Sequence, residues 1–351
     1  MSITDRIDGV TYLSPEFLSE ANPVLKAPKS VKIELTARCN YRCNFCSLVT
    51  RQKQPGVNDD IDFELFKRIT TEMFEAGVEE IGMFYIGESF MNVPLLVESI
   101  KWVKSLPDRS EVKRPAPYTF LTTNGSLADK SSVKKVMEAG LDSLKFSVTT
   151  SDPIQFQQVI GVKAKLMWQA LENIKGAFQA RASLKMDKPN SGRGYCELSA
   201  SSIKYDGDQQ KQMRRTLESY VLPYVDNHYW LPLYTFADKA RENELELRML
   251  PTAGNTGRLD NKRPALPCWL VFNEGHVTAK GLLTACGFDA TDSWTITDLN
   301  EVSFMDAWNC DEFVKLREAH YKEDVTGTMC EECILYQGGP EPEVKPISVQ
   351  G

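Results

Sequence analysis

The sequence predicts an α/β fold: a partial (β/α)6, TIM-like barrel of parallel strands followed by a small C-terminal α+β unit, a β-hairpin plus a helix. Three observations carry this. Short apolar runs alternate with amphipathic segments six times between residues 31 and 236, and that alternation builds right-handed βαβ units around a parallel sheet. The rhythm stops after residue 237, where a Gly-, Asn- and Pro-rich connector (252–267) begins. Beyond it come short strand-like runs separated by a turn, and one helical stretch.

The elements follow in order. Residues 1–30 read as a polar lead-in with Pro15, Pro23 and Pro28. VKIELT (31–36) alternates as a strand, and the next helix sets Phe66, Ile69, Thr70, Met73 and Phe74 on one face before Gly77 stops it. EEIGMFYIG (79–87) is apolar enough for a strand covered on both faces. A helix with Leu96, Ile100 and Val103 inward, the strand YTFLTTNG (118–125) and a helix ending at Gly140 complete the next units. SLKFSVT (143–149) is the fourth strand, and its helix carries Leu166, Ala170, Ile174 and Phe178 as a stripe. YCELSASSI (195–203) and HYWLPLYTF (228–236) are the last two barrel strands, with a helix between them. Downstream, CWLVF, HVTAK and LLTACGF read as short antiparallel strands and SFMDAWNCDEFVKLREAH as a helix. The expected division is a lead-in (1–30), a barrel (31–250), a C-terminal domain (251–337) and a tail (338–351).

Composition narrows the function. With 41 basic and 48 acidic residues the net charge is −7, which argues against nucleic acid or an anionic membrane surface as partner. No apolar run is long enough to span a bilayer, and the N-terminus lacks an apolar signal core, so a cytoplasmic protein is expected. In such a chain nine cysteines, clustered toward the two ends, read as metal or redox chemistry rather than disulfides.

The first cluster, CNYRCNFC, places Cys39, Cys43 and Cys46 on the loop after the first strand, at the rim where barrels of this kind collect their chemistry. A structural zinc site needs four protein ligands, and the first histidine in the chain is His228. Three thiolates suit an iron–sulfur cube with one iron left open to a small molecule. The C-x3-C-x-aromatic-C spacing in this βα setting resembles the radical S-adenosylmethionine (radical SAM) family. The resemblance implies that the open iron of a 4Fe-4S cluster chelates the SAM methionine moiety, with Phe45 near the adenine. IGES (86–89) resembles the family's G-G-E-P segment, with Ile86 and Ser89 replacing its first glycine and its proline. Gly87, Glu88 and Ser89 there, Thr123 and Asn124 in TTNG, and Ser147 on the fourth strand correspond to positions at which the family contacts SAM.

Farther on, Cys268, the GLLTAC element ending at Cys286, and Cys330 with Cys333 in CEEC resemble the C-terminal SPASM or shorter "twitch" extension of radical SAM proteins. The middle cysteine run of the full SPASM pattern is missing. The four that remain imply one auxiliary 4Fe-4S cluster with every iron protein-bound, and a four-cysteine zinc site is the alternative. Cys196 and Cys310 are left over as buried small hydrophobes or as thiols that give a hydrogen atom to a substrate radical. The family chemistry implied is reductive cleavage of SAM to a 5′-deoxyadenosyl radical that takes a hydrogen from a substrate C–H bond. The reductant implied is of the flavodoxin or ferredoxin kind. Thirty residues ahead of the barrel are too few for the leader-binding domain that peptide-modifying relatives carry. That favours a small molecule, such as a sugar or aminocyclitol alcohol oxidised to a ketone, over a peptide; the alternatives are a peptide- or protein-modifying maturase, a radical epimerase with a cysteine hydrogen donor, and a non-catalytic cluster scaffold. Pocket candidates are Tyr85, Tyr205, His228, Tyr229, Trp230 and Tyr234.

Overall fold

The structure is a computed structural model that describes residues 3–46, 48, 59–186, 194–205, 207–231, 266–287 and 295–331. Six strands form the parallel sheet: β1 (Ser30–Ile33), β2 (Glu80–Gly82), β3 (Tyr118–Thr123), β4 (Ser143–Val148), β5 (Glu197–Ile203) and β6 (Asn227–Leu231). The sheet does not stop at β1. Strand β7 (Glu274–Val277) pairs with it in parallel, and β8 (Leu282–Thr284) and β9 (Thr295–Asp298) add antiparallel, giving the order β6-β5-β4-β3-β2-β1-β7-β8-β9. The result is a partial, TIM-like barrel whose open edge is prolonged by the C-terminal hairpin.

The outer helices form where the sequence caps them. Helix α3 (Phe63–Ala76) starts on Asp62, which accepts from Leu65 N, and ends at Gly77 with φ 108°, a left-handed turn that suits glycine. Its predicted face is the buried one: Phe66, Ile69, Thr70, Met73 and Phe74 are all fully buried. Helices α4 (Val93–Arg109), α5 (Lys130–Glu138), α6 (Pro153–Ile160), α7 (Lys165–Leu184) and α8 (Gly207–Tyr220) complete the barrel layer. Across β5, Leu198 and Ala200 join the apolar core beneath these helices.

Several expectations change. The run 79–87 gives only a three-residue strand, because beyond Gly82 the chain leaves the sheet as the loop toward the site. The stripe on α7 is rotated by about one residue: Met167, Leu171, Ile174 and Ala177 are buried, while Phe178 is exposed. Helix α6 was not expected, although Asp152 as N-cap and Pro153 at N1 spell its start. CWLVF yields helix α9 (Leu270–Asn273) instead of a strand, and the last predicted helix breaks at Asn309 into α10 (Phe304–Trp308) and α11 (Asp311–Tyr321).

The lead-in is ordered. It forms α1 (Ile3–Thr11) and α2 (Pro15–Glu20). Helix α1 lies across the N-terminal end of the barrel, where it meets the first residue of several strands. Arg6 makes a two-pronged ion pair with Glu80 at 2.7 and 2.9 Å and covers the Tyr118 ring, and the Ile3 amide donates to Glu197. Tyr234, Cys333, most of the connector and the tail lie outside the described residues.

Candidate active site

The three-cysteine loop leaves β1 through Glu34, Thr36 and Arg38, and the structure fastens it from several sides. Arg38 pairs with both oxygens of Asp60 at 2.6 and 2.8 Å, and Asn92 donates to the same carboxylate. Arg42 N and Asn44 N donate to Ile160 O and Val159 O at the end of α6. Gly161 follows with φ 70°, and a Cβ there would sit 2.9 Å from Arg42 O. Asn124 Nδ2 donates to Asn40 Oδ1 and Asn40 Nδ2 to Ser126 Oγ, which ties the loop to the end of β3.

Cys39, Cys43, Cys46 and Phe45 are each half-buried on this loop. Burial pushes the Cys39 thiol up to about 12, and the charges of Glu88 and Cys46 add to it. Burial likewise raises Cys43 well above a free thiol, reinforced by Cys46 and Cys39. Three thiols that repel one another's ionised forms in a desolvated loop need a cation to become thiolates. The Tyr41 amide points at Cys39 Sγ (3.4 Å) and Asn124 Nδ2 lies 4.0 Å from it, the N–H···S donors that support a cluster ligand. The donor set therefore suits an iron–sulfur cluster. Among the described residues no three His, Cys, Asp or Glu side chains converge as ligands of a single ion. A cube, being larger than an ion, holds its thiolates farther apart.

Around this loop the predicted cofactor residues assemble. Glu88 is fully buried, and its carboxylate accepts from Phe90 N (3.1 Å), Thr123 Oγ1 (2.9 Å) and Asn124 N (2.8 Å), so it locks the loop after β2 to the end of β3. Burial raises its pKa in spite of those bonds. Ser89 is turned inward, donating to Met83 O. Gly87 lies so close to the loop stem that a Cβ would fall 1.9 Å from Thr36 O, and Glu88 N donates to Arg38 O. Asn124 and Ser147 line a small cavity together with Tyr41, Thr149 and Phe156.

A second cavity of about 100 Å³ occupies the lumen above α1. Its walls include Lys32, Phe84, Phe120, Thr122, Lys145 and Tyr229. Sequence reasoning missed its polar wall. Lys32 pairs with Glu274 at 2.6 Å, and His276 Nε2 shares the same oxygen at 2.9 Å. Burial would raise the Glu274 carboxyl, but Lys32 and His276 overrule it and hold it well below the usual range. Burial lowers His276 against the opposing pull of Glu274, so the ring is neutral, with Nε2–H on Glu274. Its Nδ1 is buried and has no hydrogen-bond partner among the described residues. The signal for this group was present only as alternation in EGHV, since Glu274 and His276 come together with Lys32 through β7–β1 pairing.

Of the pocket candidates, Tyr229 lines the lumen. Tyr85 donates to Cys286 O and packs 5.2 Å from His276. Tyr205 is buried and bonded to Thr149 O. His228 and Trp230 pack edge to face on the opposite side of β6 from Tyr229, where Arg214 of α8 covers Trp230. Burial, then Arg214, lowers His228 to about 4.

The two leftover cysteines lie in different parts of the fold. Cys196 is fully buried just before β5, the strand end remote from the cysteine loop, and its carbonyl accepts from Arg181 of α7. Cys310 caps α11 beside Arg317, next to α10, which packs on α3 in the outer layer. Neither thiol lies on the lumen, so hydrogen donation gains no support. In the C-terminal unit the Cys268 amide donates to His320 Nδ1 (3.1 Å) and the Cys330 amide to Thr328 Oγ1. Cys268, Cys286 and Cys330 are half-buried.

Residues 33–183 match the Radical SAM superfamily, and residues 268–334 match SPASM, an iron–sulfur cluster-binding domain. The chain belongs to the radical SAM superfamily and carries a SPASM-type auxiliary-cluster domain at its C-terminal end. Its cofactors are accordingly SAM and 4Fe-4S clusters. Over 133 residues it is 29% identical to a probable GTP 3′,8-cyclase of Methanococcus maripaludis, covering 37% of this chain and 40% of that one. Over 167 residues it is 27% identical to a tungsten-containing aldehyde ferredoxin oxidoreductase cofactor-modifying protein of Pyrococcus furiosus, covering 47% and 42%. The chain thus spans about two fifths of the length of these relatives. Streptococcus suis SuiB bound to S-adenosylmethionine shares the fold at a TM-score of 0.58 and 16% identity, covering 85% of this chain and 69% of that one. Native anSMEcpe with bound AdoMet does so at 0.53 and 11%, covering 82% and 83%. No helix among the described residues is long and apolar enough to cross a membrane.

Proposed function

We propose that the protein is a radical SAM oxidoreductase that dehydrogenates a small polar molecule, of the sugar or aminocyclitol class, in a biosynthetic pathway. It would work in the cytoplasm with a flavodoxin- or ferredoxin-type reductant. Cys39, Cys43 and Cys46 would hold the SAM-binding cluster, and Cys268, Cys286, Cys330 and Cys333 the auxiliary one. The bound cofactors would supply a 5′-deoxyadenosyl radical that takes hydrogen from a C–H bond.

The observation that carries the substrate class is the lumen. Its cavity of about 100 Å³ is floored by α1 and walled by Lys32, Thr122, Lys145 and Tyr229. That is room for a small ligand with several hydroxyl or amino groups. Loss of a hydrogen atom from an alcohol carbon leaves a substrate radical that becomes a ketone only by shedding one electron, which the auxiliary cluster would accept, and the hydroxyl proton, which needs a receiver. His276 lies two residues along β7 from Glu274 and its ring is oriented by that carboxylate; its buried Nδ1, which has no partner among the described residues, would take the proton. The division into a barrel (31–250) and an auxiliary domain (251–337) is part of this reading.

The test is anaerobic turnover of reconstituted protein with dithionite, SAM and a panel of polyols and aminocyclitols. Dehydrogenation predicts about one 5′-deoxyadenosine per ketone formed. Solvent deuterium at an inverted carbon would indicate epimerisation instead, and turnover only with peptides would replace the small-molecule reading.

A further inference from the structure

The loop after β2 carries Gly87 and Glu88, and two ties run from it into the C-terminal domain. The first passes through Glu34, a residue with 1% exposure between β1 and the cysteine loop. Its Oε1 accepts from Gly87 N at 3.1 Å, and its Oε2 accepts from Ala279 N at 3.0 Å. Ala279 lies in the turn between β7 and β8, whose strand leads directly to Cys286. The backbone joins in, since Glu34 N donates to Val277 O. The second tie is Tyr85, whose hydroxyl donates to Cys286 O at 3.1 Å.

These ties cannot move independently of the cofactor loops. Gly87 has no room against Thr36 O and Arg38 O, so a shift of the 85–88 loop must move the stem of the cysteine loop, the Glu34 carboxylate, or both. A buried carboxylate shared by two amides also resists losing either donor, because the amide or the oxygen left behind would be unsatisfied.

We propose that Glu34 is a positioning residue that couples the SAM-binding loop to the β7–β8 turn and Cys286 of the auxiliary domain, with Tyr85 as the parallel strut. Occupancy of the SAM site is then felt in the C-terminal domain, and by linkage the state of that turn sets SAM affinity.

The experiment is hydrogen–deuterium exchange on anaerobically reconstituted full-length protein, with and without SAM, followed peptide by peptide. In the wild type SAM slows exchange about tenfold at residues 85–88 and also at 274–287. In Glu34→Gln, whose amide nitrogen must face one of the two N–H donors, protection at 274–287 disappears and the SAM Kd rises about tenfold, with iron content unchanged. Tyr85→Phe, which removes only a hydroxyl, weakens the same protection without reaching the Glu34→Gln level. Wild-type protein whose 274–287 peptides ignore SAM overturns the coupling, even if Glu34→Gln does not fold. So does a Glu34→Gln protein that keeps wild-type protection and affinity. Neither readout depends on substrate identity or turnover.

Discussion

Replacing Glu88 tests how the site is held. The carboxylate accepts from the amides of Phe90 and Asn124 and from the Thr123 hydroxyl. Glu88→Ala leaves the two backbone donors without a partner. The hydroxyl can turn elsewhere, since it already accepts from Gly125 N. A buried donor left unsatisfied costs about 1–3 kcal/mol, so two cost about 2–6 kcal/mol. Removing a buried carboxylate whose ionisation burial disfavours returns part of that, leaving a net loss of about 2–4 kcal/mol. Glu88→Gln keeps an oxygen for Phe90 and Thr123 but sets NH2 against the Asn124 N–H, a loss of about 1–3 kcal/mol. The assay is denaturant unfolding of the metal-free protein, with SAM affinity of the reconstituted forms measured by equilibrium dialysis. Stability and affinity should fall in the order wild type, Gln, Ala. If Ala matched wild type within about 0.5 kcal/mol, the idea that Glu88 locks the β2 loop to β3 would be wrong.

Other consequences follow from the same geometry. Gly87→Ala forces a Cβ to within 1.9 Å of Thr36 O, so the loop must shift; SAM binding should be lost while the iron content stays near wild type. Lys32→Met strips the cation from the Glu274–His276 pair and should cost about 3–5 kcal/mol in unfolding free energy. The pH dependence has a definite sign. His276 and Glu274 both have folded-state pKa values below their unfolded ones, so each contributes stability that is present above its unfolded pKa and lost in acid. Stability should start to fall below about pH 6.5 and fall further below about pH 4.5, and His276→Gln should make the first step smaller, leaving the part contributed by His228 and His320, which burial also holds below a free imidazole. A wild-type curve flat from pH 7 to pH 5 would contradict the neutral, buried assignment of His276.

What was legible in the sequence is local. The barrel strands and most of their helices announce themselves through spacing, and the α3 face is buried as its pattern required. The cysteine loop is legible because three ligands fall within eight residues. The misses are long-range or masked by polarity. Helix α1 carries Ile3, Ile7 and Val10 on one stripe, but the charged residues between them and the prolines that follow disguise it. No local pattern says that residue 274 continues the sheet beside residue 30. Glu34, Glu274 and His276 therefore read as ordinary strand residues, although folding buries them as the charge and proton groups that join β7 and its turn to β1 and the loop after β2. For Cys196 and Cys310 residue type invites a chemical role, and the fold sets one just before β5 and the other at the start of α11.

The central claim is that the Cys39, Cys43 and Cys46 loop builds a radical generator on SAM. Its most direct test is the iron content and SAM cleavage of anaerobically reconstituted protein, beside a variant with all three cysteines changed to alanine. The wild type should hold about eight irons and release 5′-deoxyadenosine with dithionite, while the variant should keep about four irons and release none. A variant that still produced 5′-deoxyadenosine, or a wild type with full iron that produced none, would contradict the account.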